Sequence, residues 1–210
     1  MFEKLPETIK KDAGFLLWKY EMRKDKNTKV PYKINGTMAD ATNRNSFSSF
    51  EAVKAAFDKG GYDGIGVFVE PRFSAIDIDY CVTENGLTEL ATDIISRMDS
   101  YTEYSPSGKG IRIFIDTTDA VFDKKKYYIN NRKIHVEAYT EKKYVSATGN
   151  AISEKPVRKC GEDFVKFLDT YMVKPASEKP KASPPGSFLS DNAVLNLAMS
   201  AANSDKFLKL

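Results

Sequence analysis

Hydrophobic and polar residues alternate with a period of two in three segments, which predicts strands over 73–80, 111–116 and 134–139, and two further segments, 64–70 and 143–147, are also predicted as strands. In the segment 111–116 isoleucine occupies every second position. One face of that strand is therefore expected to be buried, and the other to carry its polar residues.

Three further segments have the spacing or the capping residues of helices. Ser48-x-x-Glu51 is a capping box that opens a helix through Phe57. Apolar residues three and four apart predict an amphipathic helix over 87–99 and a closing helix over 164–172. Helices and strands alternate, so the expected fold class is α+β, with a mixed or antiparallel sheet and helices on one side.

Composition divides the 210 residues into three parts. The whole chain is 41% hydrophobic and 29% charged, which is typical of a globular protein, and residues 1–172 are expected to form one domain. Residues 173–187 are expected to be a linker, because 174–187 hold four of the nine prolines and no large apolar residue. Residues 188–210 have helical spacing again and are expected to begin a C-terminal helical region.

Several classes of protein are made unfavourable by features that the sequence lacks. No apolar run is long enough to span a bilayer, and the N-terminal residues do not have the pattern of a signal peptide. The two cysteines, Cys81 and Cys160, are far apart and not in metal-ligand spacing, which fits a reducing compartment. We therefore expect a cytoplasmic protein with no membrane partner.

The distribution of charge is more informative than the net charge of +3. Residues 19–33 hold six basic and two acidic residues, and residues 122–144 hold seven basic and three acidic residues interleaved with tyrosines. Basic side chains neutralise phosphates and aromatic rings stack on bases, so this mixture suits single-stranded nucleic acid. A solvated lysine-rich surface is the alternative interpretation.

Two aspartates lie two residues apart on the strand predicted over 73–80. Ile76 and Ile78 face the core there, so Asp77 and Asp79 share the other face, about 7 Å apart along the strand. Two carboxylates on one rigid strand can bind hard cations such as Mg²⁺ or Mn²⁺. The alternative is a solvent-facing acidic pair on an edge strand.

A glycine-containing loop leads into the strand predicted over 111–116. Its small residues allow backbone amides to approach phosphate oxygens, although a plain hairpin turn is equally consistent with its sequence. Arg112 projects from the face opposite the isoleucines, and a guanidinium in that position suits a triphosphate. The candidate nucleotide-binding residues of the loop are Ser105, Ser107, Gly108, Lys109 and Gly110.

The strand predicted over 134–139 supplies a third carboxylate. With Ile134 and Val136 inward, His135 and Glu137 face outward, and Glu137 shares the face of the aspartate pair if the strands are neighbours. His135, the only histidine, is either a hydrogen-bonded strand residue or a phosphate ligand beside Glu137. Three carboxylates, a phosphate-holding loop and an arginine on one face describe a two-metal phosphoryl-transfer site.

These segments, in this order, resemble the archaeo-eukaryotic primase superfamily in its phage and plasmid primase–polymerase branch. The hydrophobic-Asp-hydrophobic-Asp motif is matched by residues 76–79, the Ser-x-Gly-x-Gly stretch by residues 105–111, and the later acidic residue by Glu137. Weaker agreement extends the resemblance to about residues 15–152. Arg112 stands where the family has a histidine that contacts the incoming triphosphate, and this departure bears on the rate or on activity itself.

The resemblance implies a fold, an activity and a set of partners. The implied fold is an RRM-like catalytic sheet packed with an N-terminal α/β module, and residues 1–172 would be the catalytic domain. The implied activity is DNA primase or polymerase synthesis in replication of a phage, plasmid or other mobile element. The metals would be two Mg²⁺ or Mn²⁺ ions held by Asp77, Asp79 and Glu137. The partners would be nucleoside triphosphates, a single-stranded template or primer-template, and a helicase domain in the full-length protein.

Two other functions are left open. A nucleotide-sugar transferase also uses an Asp-x-Asp pair with Mn²⁺, although it does not account for the loop before Arg112 or for Glu137. A non-catalytic module that binds a replication origin or single-stranded DNA could retain a degenerate polymerase site. Three carboxylates that face one another repel without a cation, which argues against complete loss of metal binding.

Overall fold

The computed structural model describes residues 2–175. The predicted linker over 173–187 lies mostly outside this range, and the predicted helical region over 188–210 lies wholly outside it. In chain order the elements are α1 (Glu7–Asp12), β1 (Phe15–Arg23), β2 (Lys26–Tyr32), a 3₁₀ turn (Arg44–Ser46), α2 (Phe50–Phe57), β3 (Gly64–Val69), β4 (Ser74–Ile78), β5 (Val82–Thr83), β6 (Gly86–Leu87), α3 (Glu89–Met98), β7 (Thr102–Tyr104), β8 (Ile111–Asp116), a 3₁₀ turn (Lys124–Lys126), β9 (Asn130–Asn131), β10 (Val136–Tyr139), β11 (Lys143–Ala147), β12 (Ala151–Ser153), β13 (Arg158–Lys159), α4 (Gly161–Phe167) and a π-helical turn (Leu168–Met172).

Two antiparallel-rich sheets form the framework, so the α+β class is confirmed at that level. The first sheet has the strand order β11-β3-β1-β2. The second has the order β12-β7-β8-β4-β10-β9, and β13 adds to β8 as a parallel strand. In the second sheet β4 is central, because it pairs with β8 on one side and with β10 on the other.

The second sheet is covered on both faces. One face packs its isoleucines against α3 and α4, in a core that also contains Met98, Phe164 and Phe167. The other face meets the first sheet, together with α1 and α2, in a core that includes Phe73 and Phe114. The sequence predicted helices on one side of a single sheet. This prediction is wrong, because α1 and α2 pack on one face of the second sheet and α3 and α4 pack on the other. In the described part of the chain no helix has the length and apolarity needed to cross a membrane.

The bounds of the predicted elements agree with the structure to within three residues, but α1, β1, β2 and most of the short strands were not predicted. Helix α2 begins after Ser49, whose hydroxyl accepts a hydrogen bond from the amide of Ala52, so the N-cap is one residue later than the predicted capping box. Thr88 caps α3 in the same way. Strands β3, β4, β8 and β11 fall within the predicted segments.

The strand predicted over 134–139 is shorter in the structure. Strand β10 begins at Val136, and the residues before it form the turn that joins β9 to β10. His135 has a positive φ of 56° and belongs to this turn. The alternation of a strand does not apply to it, so its predicted outward position beside Glu137 on the strand is wrong.

Candidate active site

Four charged residues form a row across four neighbouring strands of the second sheet. Glu137 on β10 is directly opposite Asp77 on β4. Asp77 is in turn opposite Arg112 on β8, and Arg112 is opposite Glu103 on β7. Residues directly opposite each other project from the same face of a sheet, so these four side chains share one face while the isoleucines occupy the other.

Asp77 and Arg112 form a buried ion pair in the middle of this row. Arg112 Nη2 donates to Asp77 Oδ2 at 2.6 Å, and the arginine is only 4% exposed. Arg112 Nη1 donates to the hydroxyl of Ser146 at 2.8 Å and also to its carbonyl. Burial alone would lower the pKa of Arg112, but Asp77 and Glu103 outweigh it and raise the pKa, so the guanidinium keeps its charge.

One oxygen of Asp77 has no donor. Asp77 Oδ1 is buried and accepts no hydrogen bond from any residue within 2–175. A buried carboxylate oxygen without a partner is costly, because it has lost water and gained nothing in exchange. Arg112 Nε is likewise buried without a partner among the described residues, so this ion pair contains two unsatisfied polar atoms.

Asp79 lies just beyond the end of β4. Its amide donates to the carbonyl of His135 at 2.9 Å, which continues the pairing of this chain segment past the strand. Desolvation, then the negative charges of Asp77 and Glu137, raise the pKa of Asp79, whereas Arg112 and Lys29 act against them. The three predicted carboxylates therefore influence one another electrostatically, as a shared site requires.

Glu137 is held by neutral donors on both of its oxygens. The amide nitrogen of Asn130 donates to Oε1, and the hydroxyl of Tyr139 donates to Oε2. Burial and the neighbouring Glu137 carboxylate raise the pKa of Tyr139, so its hydroxyl remains a donor. These two donors hold the Glu137 carboxylate in place on its strand.

Glu103 is a buried acid that the sequence analysis did not single out. It is 0% exposed, and it accepts hydrogen bonds from the amides of Thr148 and Gly149 at 3.0 and 2.9 Å and from the hydroxyl of Tyr101 at 3.0 Å. Burial raises its pKa, while Arg112 and the three donors act in the opposite direction. No local signal distinguishes this glutamate from an exposed one, because its burial depends on the packing of 148–149 against β7.

Two lysines line the same cleft as Asp77 and Glu137. Lys29 places its Nζ 5.2 Å from the centre of the Trp18 ring, and burial, then Arg112, lowers its pKa against the opposing effect of the two aspartates. Lys143 places its Nζ 3.7 Å from the ring centre of Tyr139, and burial likewise lowers its pKa. The sequence identified these lysines only as members of the basic clusters.

The cleft is open to solvent and has a volume of about 290 Å³. Three basic residues, Lys29, Arg112 and Lys143, line it together with the carboxylates of Asp77 and Glu137. A polyanion with bound cations would therefore find basic groups for its anionic oxygens and carboxylates for its cations here. The residues that line the cleft are Lys29, Asp77, Arg112, Glu137, Tyr139, Lys143, Tyr144, Val145 and Ser146.

The predicted phosphate-binding loop is the hairpin turn between β7 and β8. The amides of four of its residues are already engaged, since each donates to a carbonyl or hydroxyl inside the loop. The hydroxyls of Ser105 and Ser107 and the exposed side chain of Lys109 remain at its surface. The engaged amides are those of Ser105, Gly108, Lys109 and Gly110.

The hairpin turn lies beside Asp79. A Cβ on Gly110 would be 2.6 Å from the carbonyl oxygen of Ile78 and 3.3 Å from the Cα of Asp79, so only glycine fits there. The structure therefore supports the hairpin interpretation for the backbone of the loop. Its contact with phosphate stays a prediction, now directed to side chains rather than to amides.

His135 does not face the cleft. Its ring packs edge-on against the exposed ring of Tyr80, with 5.2 Å between ring centres. The residue is exposed and does not line the cavity that contains Asp77 and Glu137. Of the two interpretations of this histidine, the geometry favours a surface residue held by an aromatic neighbour.

The donor set of the cleft fits a hard divalent cation. As the side chains stand, no three His, Cys, Asp or Glu residues within 2–175 converge closely enough to enclose one. The unpartnered Asp77 oxygen and the raised pKa of Asp79 are nevertheless what a cation would relieve, and carboxylate oxygens are the ligands that Mg²⁺ and Mn²⁺ prefer. The assignment of Asp77, Asp79 and Glu137 as ligands stays a prediction.

The cleft combines carboxylates with basic side chains, which are the residue types that phosphoryl-transfer sites use. No protein-family profile matches the chain. The chain is similar to a DNA primase-polymerase of Nitratiruptor phage NrS-1, with 26% identity over 203 residues, which cover 91% of this chain and 27% of the phage protein. This chain thus spans about a quarter of the length of that relative, and the similarity supports a relationship to primase-polymerases.

Proposed function

We propose that this chain is the nucleotidyltransferase domain of a DNA primase-polymerase that acts in replication of a phage, plasmid or other mobile element. The observation that carries the proposal is the row of Glu137, Asp77 and Arg112, in which one buried Asp77 oxygen has no donor. The similarity to a phage primase-polymerase supports nucleotide transfer as the reaction at this site. The second sheet would then be the RRM-like catalytic sheet, and the first sheet with α1 and α2 would be the N-terminal module.

The carboxylates would hold the metals. Asp77 would bind through Oδ1, and Asp79 and Glu137 would complete the set from the end of β4 and from β10. Two Mg²⁺ or Mn²⁺ ions would supply an activated attacking hydroxyl and neutralise charge on the transferring phosphate. Glu137 would exchange one of its present donors for this role, since both of its oxygens accept hydrogen bonds.

The cations around the cleft would hold the triphosphate of the incoming nucleotide. Lys29 and Lys143 approach from β2 and β11. Burial lowers the pKa of both lysines because their ammonium groups have lost contact with water. A bound phosphate would give these ammonium groups a charged partner in its place. Arg112 would contribute through the field it sets at the base of the cleft, because both of its terminal nitrogens are engaged.

The proposal also assigns a binding surface for the template strand and a further domain of the full-length protein. The basic segments 19–33 and 122–144 would bind the phosphates of a single-stranded template or primer-template, with an affinity that falls steeply as salt rises. A helicase domain would belong to the full-length protein. The phage relative is about four times as long as the matched region, which leaves room for such a domain in a protein of that kind.

One observation favours the non-catalytic alternative. Asp77 is already paired with Arg112, and an ion pair of this kind can serve a purely structural purpose. In that case the chain would bind DNA through its basic segments and transfer no nucleotide. A nucleotide-sugar transferase, the other alternative, would use nucleotide and Mn²⁺ without needing a template.

A labelled extension assay separates these functions. The chain is incubated with a template, with and without a primer, in Mg²⁺ and in Mn²⁺, beside the Asp79→Asn variant. We expect metal-dependent, template-dependent products from the parent and none from the variant. Products from both proteins would reject the site. DNA binding without products would favour the non-catalytic module, and nucleotide turnover without a template would favour the transferase.

A further inference from the structure

The β1–β2 hairpin carries a row of mainly apolar side chains and one lysine on one face. Three cross-strand pairs share this face, because residues directly opposite each other project to the same side. We call this surface the hairpin face. Its six residues are Trp18, Tyr20 and Met22 on β1 and Pro31, Lys29 and Asn27 opposite them on β2.

The hairpin face exposes one aromatic ring and one thioether to solvent, while its tryptophan is buried. Tyr20 is 41% exposed and Met22 is 72% exposed, and Tyr20 packs edge-to-face on Trp18 with 5.2 Å between ring centres. Of the eight large hydrophobic residues that are exposed within 2–175, four lie between residues 20 and 38. Two of these four, Tyr20 and Met22, are neighbours on the hairpin face, and an exposed aromatic ring is the group on which a nucleic-acid base stacks.

This face is continuous with the active-site cleft. Lys29 belongs to both, since its Nζ lies over the Trp18 ring while the residue lines the cavity that holds Asp77 and Glu137. The hydroxyl of Tyr144, another cleft residue, donates to the carbonyl of Lys29 at 3.0 Å. A strand of nucleic acid that leaves the cleft past Lys29 would meet Tyr20 and then Met22.

The charge of the hairpin suits a polyanion. Residues 19–33 have a net charge of +4, from six basic and two acidic residues. Glu21, one of the two acids, is already balanced by Lys19 at 3.6 Å and by Arg23 at 3.3 Å. Lys29 is the basic residue of the hairpin face itself, and the others project from the opposite face or lie at the tip and the end of the hairpin. The hairpin as a whole therefore combines positive charge with an exposed ring, which is the combination that binds single strands without sequence preference.

The hairpin is also preorganised. Lys24 and Asp25 at its tip both have positive φ, of 47° and 59°, which matches the two-residue turns whose twist suits paired strands. Seven cross-strand pairs fix its register. A surface that is already ordered gives up less entropy when it binds a ligand.

We propose that the hairpin face is a stacking platform for the single-stranded DNA template, adjoining the cleft through Lys29. The proposal rests on the proposed function for the position of the template, and it adds the residues that contact the bases. Tyr20 stacks on one base, Met22 packs against the next, and the surrounding lysines contact phosphates.

The test compares two double variants in the same binding assay. Tyr20→Ala with Met22→Ala removes the platform. Val121→Ala with Val173→Ala is the matched control, because both of its positions are exposed apolar residues outside segments 19–33 and 122–144. Affinity for a labelled single-stranded oligonucleotide is measured by fluorescence anisotropy at several salt concentrations, and folding is checked by thermal unfolding.

We expect the platform variant to bind DNA at least about fivefold more weakly than the parent, which corresponds to about 1 kcal/mol of lost stacking. The control should bind as the parent does. The salt slope of the platform variant should equal that of the parent, since no charge is removed. Tyr20→Phe should retain most of the affinity, because it keeps the ring.

Two outcomes would overturn the inference. Equal DNA affinity in the platform variant and the parent would remove its basis. Conversion of a dimer into a monomer by the same substitutions, seen by sedimentation, would assign the face to a second copy of the chain. Primer extension by the parent is scored separately, so failure of the proposed function, in which the parent makes no product, is distinguishable from failure of the platform.

Discussion

The two faces of the second sheet are built from adjacent residues of the same strands, yet only one of them carries a row of charged residues beside its apolar core. On β4 and β8 the residues Ile76 and Ile113 pack against helices, whereas Asp77 and Arg112 face the cleft beside the first sheet. The apolar face is made of many interchangeable contacts, each of which contributes to stability alone. The charged face consists of groups that balance one another, so its members cannot be removed independently.

This difference bears on why the charged row exists. Replacing a buried ion pair by apolar residues of similar volume is often neutral or stabilising. Core packing therefore does not require Asp77, Arg112 and Glu103 on a face where apolar residues would fold as well. The unpartnered Asp77 oxygen adds a further cost that binding of a cation would remove.

The largest expected effect comes from charge removal on the cleft face. Asp77→Asn and Asp79→Asn should each reduce primer extension by about 10³-fold or more, because each removes several kcal/mol of metal-mediated stabilisation. Only Asp77→Asn should also reduce the free energy of unfolding, by up to about 3 kcal/mol, since it weakens the partner of buried Arg112. Asparagine has the shape of aspartate but not its charge, so it does not replace Asp77 as the partner of Arg112.

Extension assays and urea unfolding of both variants check this split. Asp79 is exposed and has no ion pair at 4.0 Å or less within 2–175, so Asp79→Asn should unfold at the same urea concentration as the parent or higher. A stable and fully active Asp77→Asn protein would show that the charge of Asp77 is needed neither for catalysis nor for the fold.

A smaller effect, confined to stability, is expected on the apolar face. Ile113→Ala removes a fully buried side chain and should lower the free energy of unfolding by about 2–5 kcal/mol. Extension activity per folded molecule should be retained at low temperature. Ile113→Val serves as the control, with an expected loss of about 0.5–1.5 kcal/mol. Loss of activity in a folded Ile113→Ala protein would contradict the separation of the two faces.

The sequence missed the β1–β2 hairpin, but it predicted β4, β8 and β10 and the face on which Asp77 and Glu137 lie, because side-chain alternation is a local property. It did not predict the partners across the strands. The burial of Glu103 depends on packing against 148–149, and the approach of Lys29 to the cleft depends on how β2 lies over the second sheet. These are long-range contacts, for which the chain has no local signal.

His135 illustrates a different limit. Period-two alternation over 134–139 predicted a strand. The first two of these residues instead belong to a turn, in which His135 has a positive φ, so the strand begins only at Val136. The engaged amides of the loop before β8 were equally hidden, because serine and glycine suit both a hairpin turn and a phosphate-binding loop.

The last and smallest expected effect concerns Arg112, where the charged face differs from the family pattern. Arg112 points into the site, but it is bonded to Asp77 and Ser146, so we expect it to act on the nucleotide by its charge rather than by a free guanidinium. Arg112→His supplies that charge only when the imidazole is protonated. The positive charge, and with it the affinity for a nucleoside triphosphate, should be present at about pH 6 and lost as the pH rises toward 8.

Nucleotide affinity should therefore fall about 10-fold more in Arg112→His than in the parent between these pH values, which corresponds to about 1.4 kcal/mol. Titration of a nucleoside triphosphate in the presence of Mg²⁺ or Mn²⁺ at pH 6, 7 and 8 measures it. Arg112→Lys is the matched control, because it keeps a positive charge across this range while losing the planar fork. A pH profile of Arg112→His that follows both the parent and Arg112→Lys would show that the charge at this position does not act on the nucleotide. The Arg112–Asp77 pair would then be structural, and the charged face would resemble the apolar one in what it contributes.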